Sequence, residues 1–248
     1  MAKTVQLKIK RQDSADAQPR WEEFEVPWEE HLNVHAALMA IQRNPVTRSG
    51  QKTSPVVWDA NCLEEVCGSC TMIVNGRVKQ ACSTRVDDEE QPIEVRPMTK
   101  FPLIRDLIVD RARVFADFKR VHAWVDIDGT HDLGPGPRYS QELAEIRYDL
   151  SRCMACGCCM EACPNYGPQS QYIGAAAVSQ ARLFNLHPSG DMHADARLDA
   201  LLEPGGIQDC GNSQNCVEVC PKEIPLTTSL ADMMRATTKH ALASIFRR

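Results

Sequence analysis

The chain has 248 residues, enough for one large domain or two of ordinary size. Its 43% hydrophobic and 25% charged residues suit packed cores, and a net charge of −5 has the wrong sign for a nucleic-acid-binding surface. No apolar run reaches the length of a membrane-spanning helix, and the N-terminus MAKTVQLKIKRQDS lacks a signal-peptide core, so a reducing compartment is expected. Cysteine makes up about 5% of the chain, below a disulfide scaffold; clustered thiols in a reducing compartment point to metal.

The N-terminal part reads as mixed α/β. Val5, Leu7 and Ile9 alternate with polar residues, the period of a half-buried strand, and residues 21–26 can pair with them. Asn33 is a predicted N-cap, followed by Val34, Ala37, Leu38 and Ile41 on one helical face. The chain then turns extended at Val56, Val57 and Trp58. Residues 71–74 and 77–81 flank Asn75-Gly76, a hairpin signal, and 93–95 supplies a last strand. The acidic run 87–90 is taken as a solvated turn. From about residue 103 the pattern is helical, beginning with the pairs Leu103-Ile104 and Leu107-Ile108. It continues at 139–150, 174–186, 194–202 and 227–246, with a turn-rich loop at 128–137. The expected architecture is α+β: residues 1–104, then an all-α domain over 105–248.

The cysteines form two zones separated by a long cysteine-free stretch. Cys62, Cys67 and Cys70 have the C-x4-C-x2-C spacing of a plant-type ferredoxin, and Cys82 can return as the fourth thiolate. Gly68 lets such a loop turn its N–H groups toward sulfur. A structural zinc site is the alternative, although zinc favours two paired knuckles over three ligands in one loop.

In the second zone Cys153, Cys156, Cys159 and Cys163 reproduce C-x2-C-x2-C-x3-C-P, in which the fourth cysteine ligates the other cluster. Cys210, Cys216 and Cys220-Pro221 repeat the frame with Ser213 in place of its second cysteine. This gives a 4Fe–4S centre on Cys153, Cys156, Cys159 and Cys220, and a 3Fe–4S centre on Cys163, Cys210 and Cys216. A Ser213 alkoxide ligand, or a 4Fe–4S centre with an open site, remains the alternative. Cys158 is left over and is expected to be a small buried apolar residue.

The stretches CLEEVCGSC (62–70), Cys82, RPMTKFPLIRDLIVDR (96–111), CMACGCCMEACP (153–164) and CGNSQNCVEVCP (210–221) together resemble the iron–sulfur subunits of succinate dehydrogenase and fumarate reductase. The resemblance implies a β-grasp 2Fe–2S domain followed by a helical domain with the other two clusters. It further implies an FAD-containing flavoprotein partner and a cytochrome b membrane anchor, which would seat the chain peripherally on the cytoplasmic face of the cell membrane. Electrons would run from the flavin through 2Fe–2S, 4Fe–4S and 3Fe–4S to a quinone, or in reverse for fumarate reduction. Pro164, Tyr166 and Ser213 would lie nearest the quinone, with packing beside a cluster the default role for Tyr166.

Many ubiquinone-linked relatives carry tryptophan soon after the position of Pro164 and histidine after that of Cys210. Here the residues are Asn165-Tyr166-Gly167-Pro168 and Gly211. GNSQNC and residues 174–188 look more like menaquinone-linked relatives, whose anchor commonly holds haem. His240 and Arg247-Arg248 are placed either near a membrane surface or in a solvated tail. A free multi-cluster ferredoxin would not need so many additional helices.

Overall fold

The computed structural model describes residues 3–125 and 138–246, so the turn-rich loop at 128–137 and Arg247-Arg248 lie outside the described residues. Two compact units divide the chain: Met1–Arg111 with Cys156–Glu161, and Ala112–Ala155 with Ala162–Arg248.

In the first unit β1 (Thr4–Arg11) and β2 (Arg20–Pro27) form an antiparallel pair. Helix α1 (Val34–Arg43) follows, then the hairpin β3 (Thr71–Val74) and β4 (Arg77–Gln80), then β5 (Ile93–Arg96). The strand order is β2-β1-β5-β3-β4, with β5 parallel to β1, a β-grasp sheet. Alternation along β1 buries Val5, Leu7 and Ile9 against Val34, Ala37, Leu38 and Ile41 of α1. Asn33 caps α1 as its sequence predicts, its Oδ1 accepting from the Ala36 N–H at 2.8 Å. Asn75 and Gly76 both hold positive φ, as the two-residue turn between twisted strands requires. Val56, Val57 and Trp58 run outside the sheet.

One expectation fails in this unit, and one holds only in part. Residues 103–109 form a short hairpin, β6 (Leu103–Arg105) and β7 (Ile108–Val109), in place of a helix. The pairs Leu103-Ile104 and Leu107-Ile108 have helical spacing because they occupy opposite arms of one tight turn. Asp106 makes that turn at φ +45°, and its buried carboxylate takes the Arg11 guanidinium at 3.0 and 3.1 Å and the N–H groups of Gln12 and Val57. The acidic run is a solvated turn as expected at Asp87, Asp88 and Glu90, which are exposed, and departs from that only at Glu89. The Glu89 side chain is 4% exposed, pairing with Lys79 and accepting from Asn75 Nδ2 at 3.0 Å, while Asp87 accepts from Trp28 Nε1 at 2.8 Å.

The second unit is helical: α2 (Ala112–Arg120), α3 (Gln141–Ser151), α5 (Gly174–Asn185), α6 (Ala194–Leu202), the single turn α7 (Asn215–Glu218) and the long α8 (Leu226–Phe246). A further short helix, α4 (Cys158–Ala162), has four of its five residues in the first unit. Helix α5 packs on α2, α3, α6 and α8. Its Gly-Ala-Ala-Ala start permits close approach, and Arg182 crosses to Asp232 of α8 at 2.6 Å. The guanidinium of Arg197, 1% exposed, donates to the carbonyls of His122, Trp124 and Gly190, tying the loops around α6 together. Among the described residues no helix is long and apolar enough to cross a membrane.

Candidate metal centres

The first ligand loop wraps its amides around sulfur. Leu63 (φ +62°), Glu65 (φ +54°) and Gly68 (φ +70°) are left-handed and alternate with ordinary residues, a pattern that turns successive N–H groups to one side. The N–H groups of Glu64, Val66 and Cys67 donate to Cys62 Sγ at 3.4, 3.3 and 3.3 Å. Those of Cys62 and Ser69 donate to Cys67 Sγ at 3.5 and 3.4 Å. Burial alone would raise the Cys67 thiol, but these donors and the Ser69 hydroxyl bring it down to about 6. Burial, with Cys82 alongside, pushes Cys70 up to about 12, so that thiol ionises only with a cation in place.

Cys82 lies two residues beyond β4, in the turn after the strand on which its sequence placed it. The Ala81 N–H donates to the Cys70 carbonyl at 3.1 Å, and Asn33 Nδ2 donates to the Cys82 carbonyl at 3.0 Å. The residue that caps α1 thus also fixes the fourth thiol. The donor set, four sulfurs with inward-facing amides, fits a 2Fe–2S cluster.

Cys156 and Cys159 also belong to the first unit. Ala155 (φ +53°) and Gly157 (φ +85°) flank Cys156 in left-handed conformations. A side chain at Gly157 would meet the Phe101 ring at 3.3 Å. Glu161 anchors α4 by accepting from Thr99 N–H at 2.9 Å, Thr99 Oγ1 at 2.6 Å and Lys100 N–H at 3.0 Å. Cys158 is 1% exposed and its sulfur takes part in a buried hydrogen bond, so it does more than fill space. Interaction with the neighbouring Cys156 sulfur, with burial, holds its thiol well above the usual range, and the same interaction holds Cys156 below it. The Cys158 sulfur accepts from Gln80 Nε2 at 3.3 Å.

In the second unit Cys153 follows α3 directly and Cys220 follows α7, their N–H groups bonded to Leu150 and Val217 carbonyls. Cys163, Cys210 and Cys216 line one cavity with Tyr172, Ala175, Thr227, Leu230 and the turn 211–214. Ser213 is on that turn, between Asn212 (φ +52°) and Gln214 (φ +64°). The same left-handed flanks are found around Cys156, so the two runs share a turn form although the second has serine at that position.

Two side chains clamp the runs together: Asn165 Nδ2 donates to the Asp209 carbonyl at 2.9 Å, and Asn215 Nδ2 to the Ala162 carbonyl at 3.0 Å. A Cβ at Gly211 would stand 2.7 Å from Asn165 Oδ1, so any larger residue there would disturb the first clamp. Burial, with Cys163 and Cys210 nearby, raises Cys216 to about 11.

Sequence reasoning missed Tyr172, buried at 1% exposure in the cavity that Cys163, Cys210 and Cys216 line. Burial first and the neighbouring thiols second raise the Tyr172 hydroxyl far above its ordinary value, so it remains a donor. No local pattern marks it. Tyr166 is buried as well: Arg113 lies over its ring at 4.2 Å, and its hydroxyl donates to Asp117 at 3.0 Å. Burial raises Asp117 to about 6, against the pull of Tyr166, Arg113 and Arg120. Pro164 and Ser213 are exposed. His240 pairs with Asp195 and Asp199.

Among the described residues no three Cys, His, Asp or Glu side chains converge at the spacing of a single metal ion. Thiolates of a multi-iron cluster bind different irons and stand farther apart.

Residues 6–116 match a family of 2Fe-2S iron-sulfur cluster binding domains, and residues 149–224 a 4Fe-4S dicluster domain. The succinate dehydrogenase iron-sulfur subunit of Bacillus subtilis is 54% identical over 98% of this chain and 96% of its own length. The fumarate reductase iron-sulfur subunit of Wolinella succinogenes is 28% identical over 95% and 98%. A chain of the Mycobacterium smegmatis Sdh1 complex shares the fold, with a TM-score of 0.73 at 22% identity over 96% of this chain and 97% of that one. The chain therefore belongs to the iron–sulfur subunits of succinate dehydrogenase and fumarate reductase, and its work in those oxidoreductase complexes is electron transfer.

Proposed function

We propose that the chain holds three clusters in line and relays single electrons between the FAD of a flavoprotein subunit and menaquinone at a cytochrome b anchor. Cys62, Cys67, Cys70 and Cys82 hold 2Fe–2S. Cys153, Cys156, Cys159 and Cys220 hold 4Fe–4S, and Cys163, Cys210 and Cys216 hold 3Fe–4S. When bound, such clusters supply one-electron steps at potentials set by hydrogen bonds to sulfur, charge and burial.

One observation carries the trinuclear assignment: three thiols line a single cavity whose fourth corner, in a turn with the same left-handed flanks as Cys156, is Ser213. A serine there leaves three thiolates for three irons. The chain's own residues would tune that centre through the buried Tyr172, which shares the cavity with Cys210.

The menaquinone reading rests on Gly211 and Asn165. Asn165 fills the space beside Gly211, where a ubiquinone-linked relative would carry histidine, and its amide is committed to the Asp209 carbonyl. Pro164, Tyr166 and Ser213 are the proposed quinone-proximal residues, with Pro164 and Ser213 on the exposed rim and Tyr166 as buried support for the Cys163 turn. Leu63 and Val66, exposed at 50% and 58% on the first ligand loop, suit a surface covered by a protein partner. Peripheral seating on the cytoplasmic face, through the anchor, completes the reading.

The test is quinone reduction by the purified complex together with iron analysis. Menaquinone analogues accept electrons and the chain holds about nine irons. Efficient reduction of ubiquinone alone, or about four irons fewer, contradicts the proposal.

A further inference from the structure

Gln80 ends β4 and is 2% exposed, a polar side chain in the core of the first unit. Its Nε2 donates to Thr71 Oγ1 at 2.7 Å and to Cys158 Sγ at 3.3 Å, and its Oε1 stands 3.6 Å from Cys70 Sγ. Thr71 passes its own hydroxyl proton to the Gly68 carbonyl at 2.7 Å, and Cys158 is peptide-bonded to Cys159. One buried amide therefore links Cys70 to Cys158 and, through the Cys158–Cys159 peptide bond, to the loop that carries Cys156 and Cys159. A second link runs beside it: Arg111 Nη1 donates to the Gly68 carbonyl and, at 3.5 Å, to that of Cys156. A core residue needed only for packing would be apolar here, because burying an amide gains nothing unless its partners matter.

We propose that Gln80 is a positioning residue for electron transfer, its amide carrying the contact from the Cys70 loop through Cys158 to the Cys156 loop. This rests on the assignment of Cys70 to 2Fe–2S and Cys156 to 4Fe–4S. In the step one reduced centre loses an electron and the other gains it; no bond forms or breaks and no proton leaves the bridge. Iron binding takes the Cys70 proton, and a half-turn of the amide then offers Nε2 to that sulfur and Oε1 to the single Cys158 S–H, with the Thr71 hydroxyl turning from Gly68 to Oε1. The contact survives ligation. An electron crosses bonded and hydrogen-bonded atoms more readily than an empty gap, so the side chain that closes this gap governs the rate.

The test uses the assembled complex, with Q80L, C158A, C158S and the Q80L/C158A double variant. An electron delivered by a photoreduced flavin is followed by freeze-quench electron paramagnetic resonance as it leaves 2Fe–2S and reaches 4Fe–4S. Q80L and C158A each slow that transfer by roughly tenfold, in the range that loss of an outer-shell partner costs a metal site. C158S keeps a hydrogen-bonding group and stays near wild type, and the double variant is no slower than the slower single one. Both cluster signals integrate to the wild-type value throughout. C158A covers the case in which Q80L fails to fold. Wild-type transfer in Q80L and C158A with full signals overturns the proposal, as does loss of 4Fe–4S in C158S, which would make Cys158 a ligand. Failure of the underlying assignment is seen separately, as a wild-type spectrum lacking one of the two signals.

Discussion

Replacing Asp106 with alanine tests how the β-grasp unit holds its ligand loop. Asp106 and Arg11 are both fully buried and joined by two hydrogen bonds, at 3.0 and 3.1 Å. The carboxylate also takes the N–H groups of Gln12 at 3.0 Å and Val57 at 3.1 Å. Breaking a buried pair by removing one partner costs about 3–5 kcal/mol. Two stranded N–H groups would add to this, but Glu22 remains on Arg11 at 2.7 Å and offsets part of the charge. The net expectation is a loss of about 4 kcal/mol, a large share of the ~5–15 kcal/mol that holds a domain together.

Asp106→Asn keeps an acceptor and tolerates the left-handed turn, so it loses about half as much. Because Val57 leads into the Cys62 loop, D106A also sheds its 2Fe–2S iron first. The assay is urea unfolding of the chain, followed by far-ultraviolet circular dichroism and by the visible absorption of the cluster. A D106A stability within about 1 kcal/mol of wild type would refute the reasoning, since a surface ion pair would behave that way.

Ser213→Cys supplies the missing thiolate, and the 3Fe–4S centre becomes 4Fe–4S with one more iron and a lower potential; an unchanged iron content and oxidised-state spectrum would show that the ligand frame is wrong. Asp117→Asn tests burial of charge beneath Tyr166. Its pKa is raised from 3.8 to about 6, so the wild type loses stability as pH rises through that window while the neutral variant does not. The advantage of D117N in urea unfolding therefore grows by about 1–2 kcal/mol between pH 5 and pH 8, and an advantage that shrinks over this range contradicts the assignment.

The elements most readable in the sequence are those fixed by local chemistry. Asn33 caps α1, Asn75-Gly76 turns the hairpin, and β1 alternates, because each depends only on neighbours within a few residues. Residues 103–109 were misread because periodicity cannot separate two arms of a short hairpin from successive turns of a helix. The deciding interaction, Asp106 with Arg11, spans 95 residues. The same limit hid the roles of single side chains. Gln80 reaches Cys158 across 78 residues, and Glu89 meets Lys79 on a neighbouring strand. Tyr172 carries no motif at all. The cysteine frame was legible because ligand spacing is imposed by the size of a cluster. Ser213 was legible for the same reason, as a gap in a strict pattern.

The central claim is that three thiols around the Ser213 turn hold a trinuclear centre in a three-cluster relay. The measurement that tests it most directly is electron paramagnetic resonance of the intact complex, first oxidised and then reduced with dithionite. The account predicts a 3Fe–4S signal in the oxidised sample, replaced on reduction by those of 2Fe–2S and 4Fe–4S. An oxidised sample with no such signal at full iron content would contradict it.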